Sequence, residues 1–191
     1  MIRIAVVGEI GSGKTYVAKL FGFPVFNADK EVAEIYMRDK KCFIKLKKII
    51  PKYISSFPIN KKEIAKSIIS NPRNLKKIIK IVHPIVRLKM NQFIKKNKKE
   101  KMIILDVPLL LENKISQKSN VLIFVDAKDK EIIKNLKKRK NYNFKIIKIL
   151  KKFQLPLKYK KKKSDFIIKN NFKMEPMKKR IKLLKERILY K

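Results

Sequence analysis

The chain has 191 residues, of which 45% are hydrophobic and 35% are charged. This length suits one domain, or one domain with a small insertion, and the composition excludes a disordered or collagen-like chain. Its 52 lysine and arginine residues outnumber 15 aspartate and glutamate residues, which gives a formal net charge of +37. Charge alone therefore suggests a nucleic-acid partner.

Most of this positive charge comes from lysine, because only seven of the 52 basic residues are arginine. A surface that recognises phosphates or guanine is expected to use more arginine, whose planar guanidinium binds both in a bidentate manner. Abundant lysine, isoleucine and asparagine are instead typical of an AT-rich genome. We therefore expect a solvated lysine surface, and nucleic-acid binding that is non-specific at most.

The sequence also indicates the cellular compartment of the protein. A single cysteine, Cys42, excludes a disulfide framework and a CxxC metal pair, and fits a reducing environment. The apolar N-terminal stretch ends at Gly8, too early for a signal-peptide core, and no later run approaches the roughly 18 apolar residues of a membrane span. A cytoplasmic protein without a membrane partner is predicted, and the oligomeric state stays open.

Short apolar runs alternate with helical periodicity along the chain. Residues 2–7 form a β-branched run that stops at Gly8, as a buried parallel strand would, and a helix is predicted from Lys14 to Phe21. Further strands are predicted at residues 24–26, 102–105, 121–125 and 166–168. This order predicts an α/β fold with a doubly wound parallel sheet of about five strands.

A long helical region separates the second and third predicted strands. Residues 30–98 carry apolar positions at helical spacing, with breaks near Pro58 and Pro72. Asn60 and Glu63 have the spacing of a capping box at the start of one of these helices. A lysine-rich connection at residues 137–163 precedes the last predicted strand.

The strongest motif is Gly8-Glu9-Ile10-Gly11-Ser12-Gly13-Lys14-Thr15, a GxxxxGK[ST] string between a predicted strand and a predicted helix. The backbone N–H groups of Gly11 to Thr15 can surround a phosphate, because glycines leave room and a helix N-terminus is positive. Lys14 is predicted to reach the β- and γ-phosphates, and the Thr15 hydroxyl to hold Mg²⁺. The motif predicts a protein that uses ATP or GTP.

Three aspartates follow predicted strands, at the sheet edge where α/β proteins bind ligands. Asp29 suits two roles, accepting the proton of an attacking hydroxyl or capping the next helix, and the residues alone leave both open. Asp106 is predicted to hold Mg²⁺ as a Walker B aspartate, with a strand-end turn as the alternative. Asp126 precedes a lysine-rich helix and is predicted to be a cap or turn residue.

The only histidine and one of the few arginines are further candidates. His83 precedes Pro84, and one histidine cannot build a metal site, so the residues alone predict packing near a helix end. Arg139 precedes the lysine-rich connection. An arginine in a chain that prefers lysine favours a specific bidentate contact.

Five strings in this order resemble the dephospho-CoA kinase family. They are Ile10 to Lys14, Asn27 to Asp29, His83-Pro84, Asp106 to Glu112, and Ser164 to Asn170. The resemblance extends over about residues 2 to 171. It implies a P-loop NTPase-type kinase that uses ATP and Mg²⁺ to phosphorylate the ribose 3′-hydroxyl of dephospho-CoA, the final step of coenzyme A biosynthesis.

The resemblance also implies one kinase domain, 1–191, made of three parts: a core at about 1–29, 99–137 and 164–191, a helical substrate-binding insertion at about 30–98, and a lid at about 138–163. The implied catalytic residues are Asp29 as the general base, Lys14 and Arg139. The implied ATP-binding residues are Gly11, Ser12, Gly13, Lys14, Thr15, Tyr16 and Asn170. The implied substrate-binding residues are His83, Pro108, Leu109, Leu110 and Glu112, and the implied metal ligands are Thr15 and Asp106.

Three positions depart from the family pattern. Glu9 stands where the family usually has glycine, Asn135 where it has arginine, and Lys140 where it has aspartate. Loss of a lid arginine at position 135 predicts reduced activity unless Lys134 or Lys138 compensates as a point charge. Two alternatives stay open: another P-loop nucleoside or nucleotide kinase, and a basic nucleic-acid-binding P-loop ATPase.

Overall fold

The structure is a computed structural model that describes residues 1–108, 120–139 and 142–190. Its contacts divide the chain into two compact units. The sheet unit consists of Met1–Asn27, Asn97–Tyr142 and Lys151–Lys191, and the helical unit consists of Ala28–Lys96 and Asn143–Leu150.

In the described part of the sheet unit, five strands form one parallel sheet. The strands are β1 (Ile2–Gly8), β2 (Val25–Asn27), β3 (Met102–Asp106), β4 (Asn120–Asp126) and β5 (Phe166–Lys169). Their order across the sheet is β2-β3-β1-β4-β5. The predicted α/β fold with a parallel sheet of about five strands is therefore confirmed.

Strand β1 lies at the centre of this sheet because its side chains are apolar on both faces. Ile4, Ala5 and Val6 are all 0% exposed, as a central parallel strand requires. The chain leaves β1 for β2 and β3 on one side and later crosses to β4 on the other side. The loop after β1 therefore lies at the switch point where open α/β sheets bind ligands.

Four helices complete the described part of the sheet unit: α1 (Lys14–Leu20), α6 (Asp129–Lys137), α8 (Leu157–Lys163) and α9 (Met174–Leu189). Helix α9 buries one face, because its apolar residues recur at helical spacing. These residues are Met177, Ile181, Leu184 and Ile188. Helix α9 contacts α1, and both pack into the apolar core with side chains of β1. This packing fixes the start of α1, where the phosphate motif ends.

The helical unit contains α2 (Ala28–Arg38), α3 (Lys40–Ile49), α4 (Lys61–Ser70), α5 (Arg73–Lys96) and most of α7 (Phe144–Lys152). Helix α5 contacts α2, α3 and α4. It can do so because its buried residues, among them Leu75, Ile78, Val82 and Val86, repeat every three or four positions. The predicted helical region is therefore organised around one long helix.

Of the capping box predicted at the start of α4, only the hydrogen bond to the N-cap side chain is formed. Asn60 is the N-cap, and its side chain accepts a hydrogen bond from the Lys62 N–H at 2.9 Å. The reciprocal bond of a capping box is not made, because the Glu63 carboxylate accepts from the Ser55 hydroxyl instead. Ser55, in the loop just before the helix, thus takes the Glu63 carboxylate from the Asn60 N–H.

Two other local predictions were wrong. Asp126 is neither a helix cap nor a turn residue. It is the last residue of β4, and its carboxylate forms an ion pair with Lys161 of α8 at 3.1 Å. His83 lies in the middle of α5, which continues through Pro84. Proline removes one hydrogen bond from the helix, but the buried Val82 and Val86 on either side keep this segment packed.

Candidate active site

The loop between β1 and α1 has the backbone conformation of a phosphate-binding loop. Gly11 and Gly13 have φ values of 89° and 88°, in a region that other residues rarely adopt. A Cβ atom on Gly11 would also lie 2.7 Å from the Leu136 side chain of α6. The loop therefore needs glycine for two reasons, its conformation and its close approach to α6.

Lys14 is held by this loop. It is only 8% exposed, and its Nζ donates to the backbone carbonyl of Glu9 at 2.7 Å and to that of Gly8 at 3.4 Å. A buried ammonium group is costly unless it is hydrogen-bonded. Here carbonyl oxygens of the loop supply that stabilisation, in the place where the motif predicts phosphate oxygens.

Two predicted site residues, 91 positions apart in the sequence, are joined by a hydrogen bond. The Thr15 hydroxyl donates to Oδ2 of Asp106 at 2.6 Å. Thr15 is the second residue of α1 and Asp106 the last of β3. Asp106 is 2% exposed, so the site holds a buried carboxylate beside the phosphate loop.

Asn27 completes this cluster and was absent from the predicted site. Its side-chain Nδ2 donates to the same Oδ2 of Asp106 at 2.6 Å. The parallel pairing of β2 with β3 places Asn27 directly beside Asp106 at the ends of both strands. The sequence signals at these positions were that both residues lie at strand ends and that each begins one of the strings that resemble the family.

Glu9 places a carboxylate in the phosphate loop, where a negative charge would repel phosphates. The structure pairs this carboxylate with the Lys151 ammonium of the sheet unit, and the Glu9 side chain is 13% exposed. The unusual loop residue is therefore accompanied by a compensating cation.

The remaining predicted ATP-binding residues lie on or beside the loop. Ser12 is 0% exposed, and its backbone N–H donates to the Glu9 carbonyl at 3.1 Å. Tyr16 is half-buried and packs against the core. Asn170, which follows β5, is 4% exposed, and its Nδ2 donates to the Ser12 carbonyl at 2.8 Å. The structure thus brings Asn170 to the phosphate loop.

Asp29 and His83 belong to the helical unit. Asp29 is exposed and lies in the first turn of α2, which begins at Ala28. It is therefore not the residue that precedes the helix, and the N-cap alternative is wrong. His83 is half-buried on α5.

Other predicted residues lie on α6 or in the segments that follow β3 and α6. Arg139 follows the end of α6, is exposed, and donates its backbone N–H to the Leu136 carbonyl at 3.1 Å. Asn135 turns back on its own helix, where its Nδ2 donates to the Glu131 carbonyl at 3.0 Å. Pro108 is half-buried. The following residues lie outside the described ranges: Leu109, Leu110, Glu112 and Lys140.

Solved structures share the fold of this chain. The chain superposes on TT1252 from Thermus thermophilus with a TM-score of 0.75 at 24% identity, covering 98% of this chain and 97% of that one. It superposes on dephospho-CoA kinase from Campylobacter jejuni with a TM-score of 0.65 at 21% identity and the same coverage. This fold, with a phosphate loop at the switch point of a parallel sheet, is a P-loop NTPase-type α/β fold.

Sequence comparison gives the family. A family model described as dephospho-CoA kinase matches residues 2–175. A dephospho-CoA kinase from Wolbachia pipientis wMel is 33% identical over 177 residues, which are 90% of each chain. The chain belongs to the dephospho-CoA kinase family, whose members transfer a phosphate group from ATP to dephospho-CoA in coenzyme A biosynthesis. The predicted family and enzyme class are confirmed.

Proposed function

We propose that this protein transfers the γ-phosphoryl group of ATP to the ribose 3′-hydroxyl of dephospho-CoA, with Lys14, Asp29 and Arg139 as catalytic residues. The observation that carries the proposal is the hydrogen bond between Thr15 and Asp106 beside the buried Lys14, in a chain of this family. Each residue has a separate task in the proposed reaction.

ATP binds through its phosphates. The backbone N–H groups of the loop from Gly11 to Thr15 donate to phosphate oxygens, helped by the positive end of α1. Lys14 exchanges its carbonyl partners in the loop for oxygens of the β- and γ-phosphates. Tyr16 and Asn170 complete the proposed ATP-binding set.

Thr15 and Asp106 are proposed to hold Mg²⁺. A hydroxyl and a carboxylate 2.6 Å apart offer the oxygen ligands that this ion prefers. Magnesium commonly uses one or two protein groups together with phosphates and water, so this small donor set fits it. When bound, the ion offsets negative charge on the phosphates. Asn27 keeps the Asp106 carboxylate oriented toward Thr15.

Asp29 is the proposed general base. As the 3′-hydroxyl oxygen bonds to the γ-phosphorus, its proton passes to the Asp29 carboxylate, the bond from the γ-phosphorus to the bridging oxygen breaks, and ADP leaves. The acceptor is oriented by residues carried over from the family: His83, Pro108, Leu109, Leu110 and Glu112. Correct orientation supplies much of the rate in such transfers.

The other two proposed parts are the substrate-binding insertion at about 30–98 and the lid at about 138–163. Arg139, at the base of the lid, donates to the charged oxygens of the transferring phosphoryl group. The Asn135 side chain is engaged with its own helix, so the exposed Lys134 and Lys138 are proposed to supply charge that an arginine would supply. The lid excludes water, which would otherwise hydrolyse ATP.

A substrate panel tests this function. The protein is incubated with ATP, Mg²⁺ and one acceptor at a time, and ADP release is measured in a coupled assay. We expect the kcat/KM for dephospho-CoA to exceed that for adenosine, other nucleosides, nucleoside monophosphates and shikimate by at least about 100-fold. Turnover that is higher with a nucleoside or nucleotide would replace the proposal with another small-molecule kinase activity.

The proposed setting is the cytoplasm, with dephospho-CoA as a small-molecule partner. The only cysteine, Cys42, is buried and forms no disulfide, which suits a reducing compartment. Within the described ranges, no helix has the length and apolar character needed to cross a bilayer.

A further inference from the structure

A hydrogen-bonded link connects the segment after β5 to the phosphate loop. Asn170 anchors the link, because its backbone N–H donates to the Asp126 carbonyl at the end of β4 at 2.7 Å. From this fixed position its side-chain Nδ2 donates to the Ser12 carbonyl at 2.8 Å. Asn170 is 4% exposed, so water competes little for either bond.

Phe172 fixes which way the Asn170 amide faces. The backbone N–H of Phe172 donates to Oδ1 of Asn170 at 2.9 Å. With Oδ1 occupied by an N–H donor, the Nδ2 group must face the Ser12 carbonyl. This bond occurs with Phe172 at a φ of 58°, a left-handed conformation that is uncommon for a bulky residue.

The orientation of the Ser12 carbonyl determines the orientation of the next amide. In a trans peptide the C=O of one residue and the N–H of the next lie in one plane and point in opposite directions. A bond that holds the Ser12 carbonyl toward Asn170 therefore turns the Gly13 N–H away from Asn170. Gly13 is one of the loop residues whose N–H is proposed to bind phosphate.

We propose that Asn170 is a positioning residue for the phosphate loop: by holding the Ser12 carbonyl, it presents the Gly13 N–H to the phosphates of ATP. This inference deepens the proposed function and rests on it. Asn170 acts through the peptide group between Ser12 and Gly13, and the left-handed Phe172 keeps the Asn170 side chain in the required orientation.

Gly13 fits this arrangement closely. A Cβ atom on Gly13 would overlap Nδ2 of Asn170 and would lie 3.1 Å from Cε1 of Phe172. The amide of Asn170 thus occupies the space that a side chain at position 13 would need. Glycine permits the close approach, and Asn170 uses it to reach the loop.

The first test measures phosphate binding without a nucleobase. Inorganic tripolyphosphate with Mg²⁺ is titrated into wild type and into Asn170→Ala by calorimetry, and ATP is titrated in parallel. We expect Asn170→Ala to weaken both ligands by a similar factor, about 10-fold or more, because the loss lies in the phosphate loop. A loss for ATP alone would assign Asn170 to the nucleobase, and no loss for either ligand would refute a role in binding.

The matched control is Asn171→Ala. Asn171 is the exposed neighbour of Asn170, and its side chain accepts from the Lys173 N–H rather than contacting the loop. The Asn171→Ala variant should bind tripolyphosphate with the affinity of wild type. Thermal unfolding of each variant shows at which temperatures that variant is folded, and the titrations are done at such a temperature. Asn170→Ser provides a second variant, since its short hydroxyl cannot span the distance to Ser12.

The second test separates the backbone of Phe172 from its ring. Valine resists a φ of 58° whereas glycine accepts it. We expect Phe172→Val to weaken tripolyphosphate binding several-fold and Phe172→Gly to bind several-fold more tightly than Phe172→Val. The reverse order would show that the ring matters, and would overturn the role assigned to the Phe172 backbone.

The amide itself can be observed directly. The chain has only four glycines, so selective ¹⁵N-glycine labelling gives four backbone amide signals. Tripolyphosphate should shift the Gly13 signal of wild type and leave that of Gly22 in place, and the Gly13 shift should be reduced in Asn170→Ala. An equal Gly13 shift in both proteins would refute the role of Asn170. Phosphorylation of dephospho-CoA is measured separately, because it tests only the proposed function.

Discussion

At the scale of single residues, the proposed proton transfer depends on Asp29. Asp29→Asn removes the proton acceptor but leaves the phosphate loop intact. We expect kcat with dephospho-CoA to fall by about 10²- to 10⁴-fold while the KM for ATP changes little. Steady-state kinetics with both substrates varied measures the two effects.

The control for Asp29 is Glu34→Gln on the same helix. The Glu34 carboxylate pairs with Arg38 on the helix surface, so its loss should change kcat less than about twofold. An Asp29→Asn enzyme with wild-type kcat would remove Asp29 from the catalytic residues.

A second residue-scale prediction compares two glycines with similar backbone conformations. Gly11 and Gly22 have φ values of 89° and 73°, but a Cβ atom would contact Leu136 only at Gly11 and has open space at Gly22. Gly22→Ala should cost about 1–2 kcal/mol of unfolding free energy from the left-handed conformation alone. Gly11→Ala should cost about 1–3 kcal/mol more, because it also displaces Leu136. Urea unfolding measures both, and equal losses would contradict the role assigned to the contact.

At the scale of elements, the predictable ones were those with a strong local signal. Strand β1 is a β-branched run that ends at Gly8, helix α1 begins directly after Gly13 of the phosphate loop, and the bounds of both were predicted to within one residue. The course of α5 through Pro84 was not predictable, because it depends on packing against α2, α3 and α4. The ion pair of Asp126 likewise requires knowing that α8 returns to the end of β4.

Helix α3 carries a pH-dependent prediction. Burial raises the pKa of the Cys42 thiol from its ordinary value of 9.0 to about 11, and the Asp39 carboxylate that caps this helix adds to the rise. The unfolded thiol ionises near pH 9, whereas the folded thiol keeps its proton to about pH 11. Its contribution to stability is therefore complete below pH 9 and is lost as the pH rises toward 11, on the order of 2 kcal/mol.

The measurement is the unfolding free energy as a function of pH for wild type and Cys42→Ala. Alanine leaves a small cavity that lowers stability equally at every pH, and the many lysines titrate in both proteins, so only the difference in slope reports the thiol. The difference between the two proteins should shrink between pH 9 and pH 11. A constant difference would show that the thiol ionises alike in the folded and unfolded chains.

At the scale of the whole molecule, the net charge of +37 should produce non-specific binding to polyanions. We expect equal affinity for two unrelated DNA duplexes, and a loss of about 10³-fold or more as salt rises from 50 to 200 mM. Fluorescence anisotropy measures the binding, and DNA should not stimulate ATP hydrolysis. Sequence preference or salt-resistant binding would favour the nucleic-acid-binding ATPase that the sequence left open.

The sequence by itself determined the fold class, the family and the position of the phosphate loop, because these follow from local runs, spacing and ordered motifs. The tertiary structure alone decided how the site is assembled. Asn27 reaches Asp106 across 79 positions through the parallel register of β2 and β3. Thr15 of α1 reaches the same carboxylate across 91 positions, and Asn170 reaches Ser12 across 158. Such contacts leave no local pattern, because they arise when strand ends, loops and helix starts that are distant in sequence meet at one edge of the sheet.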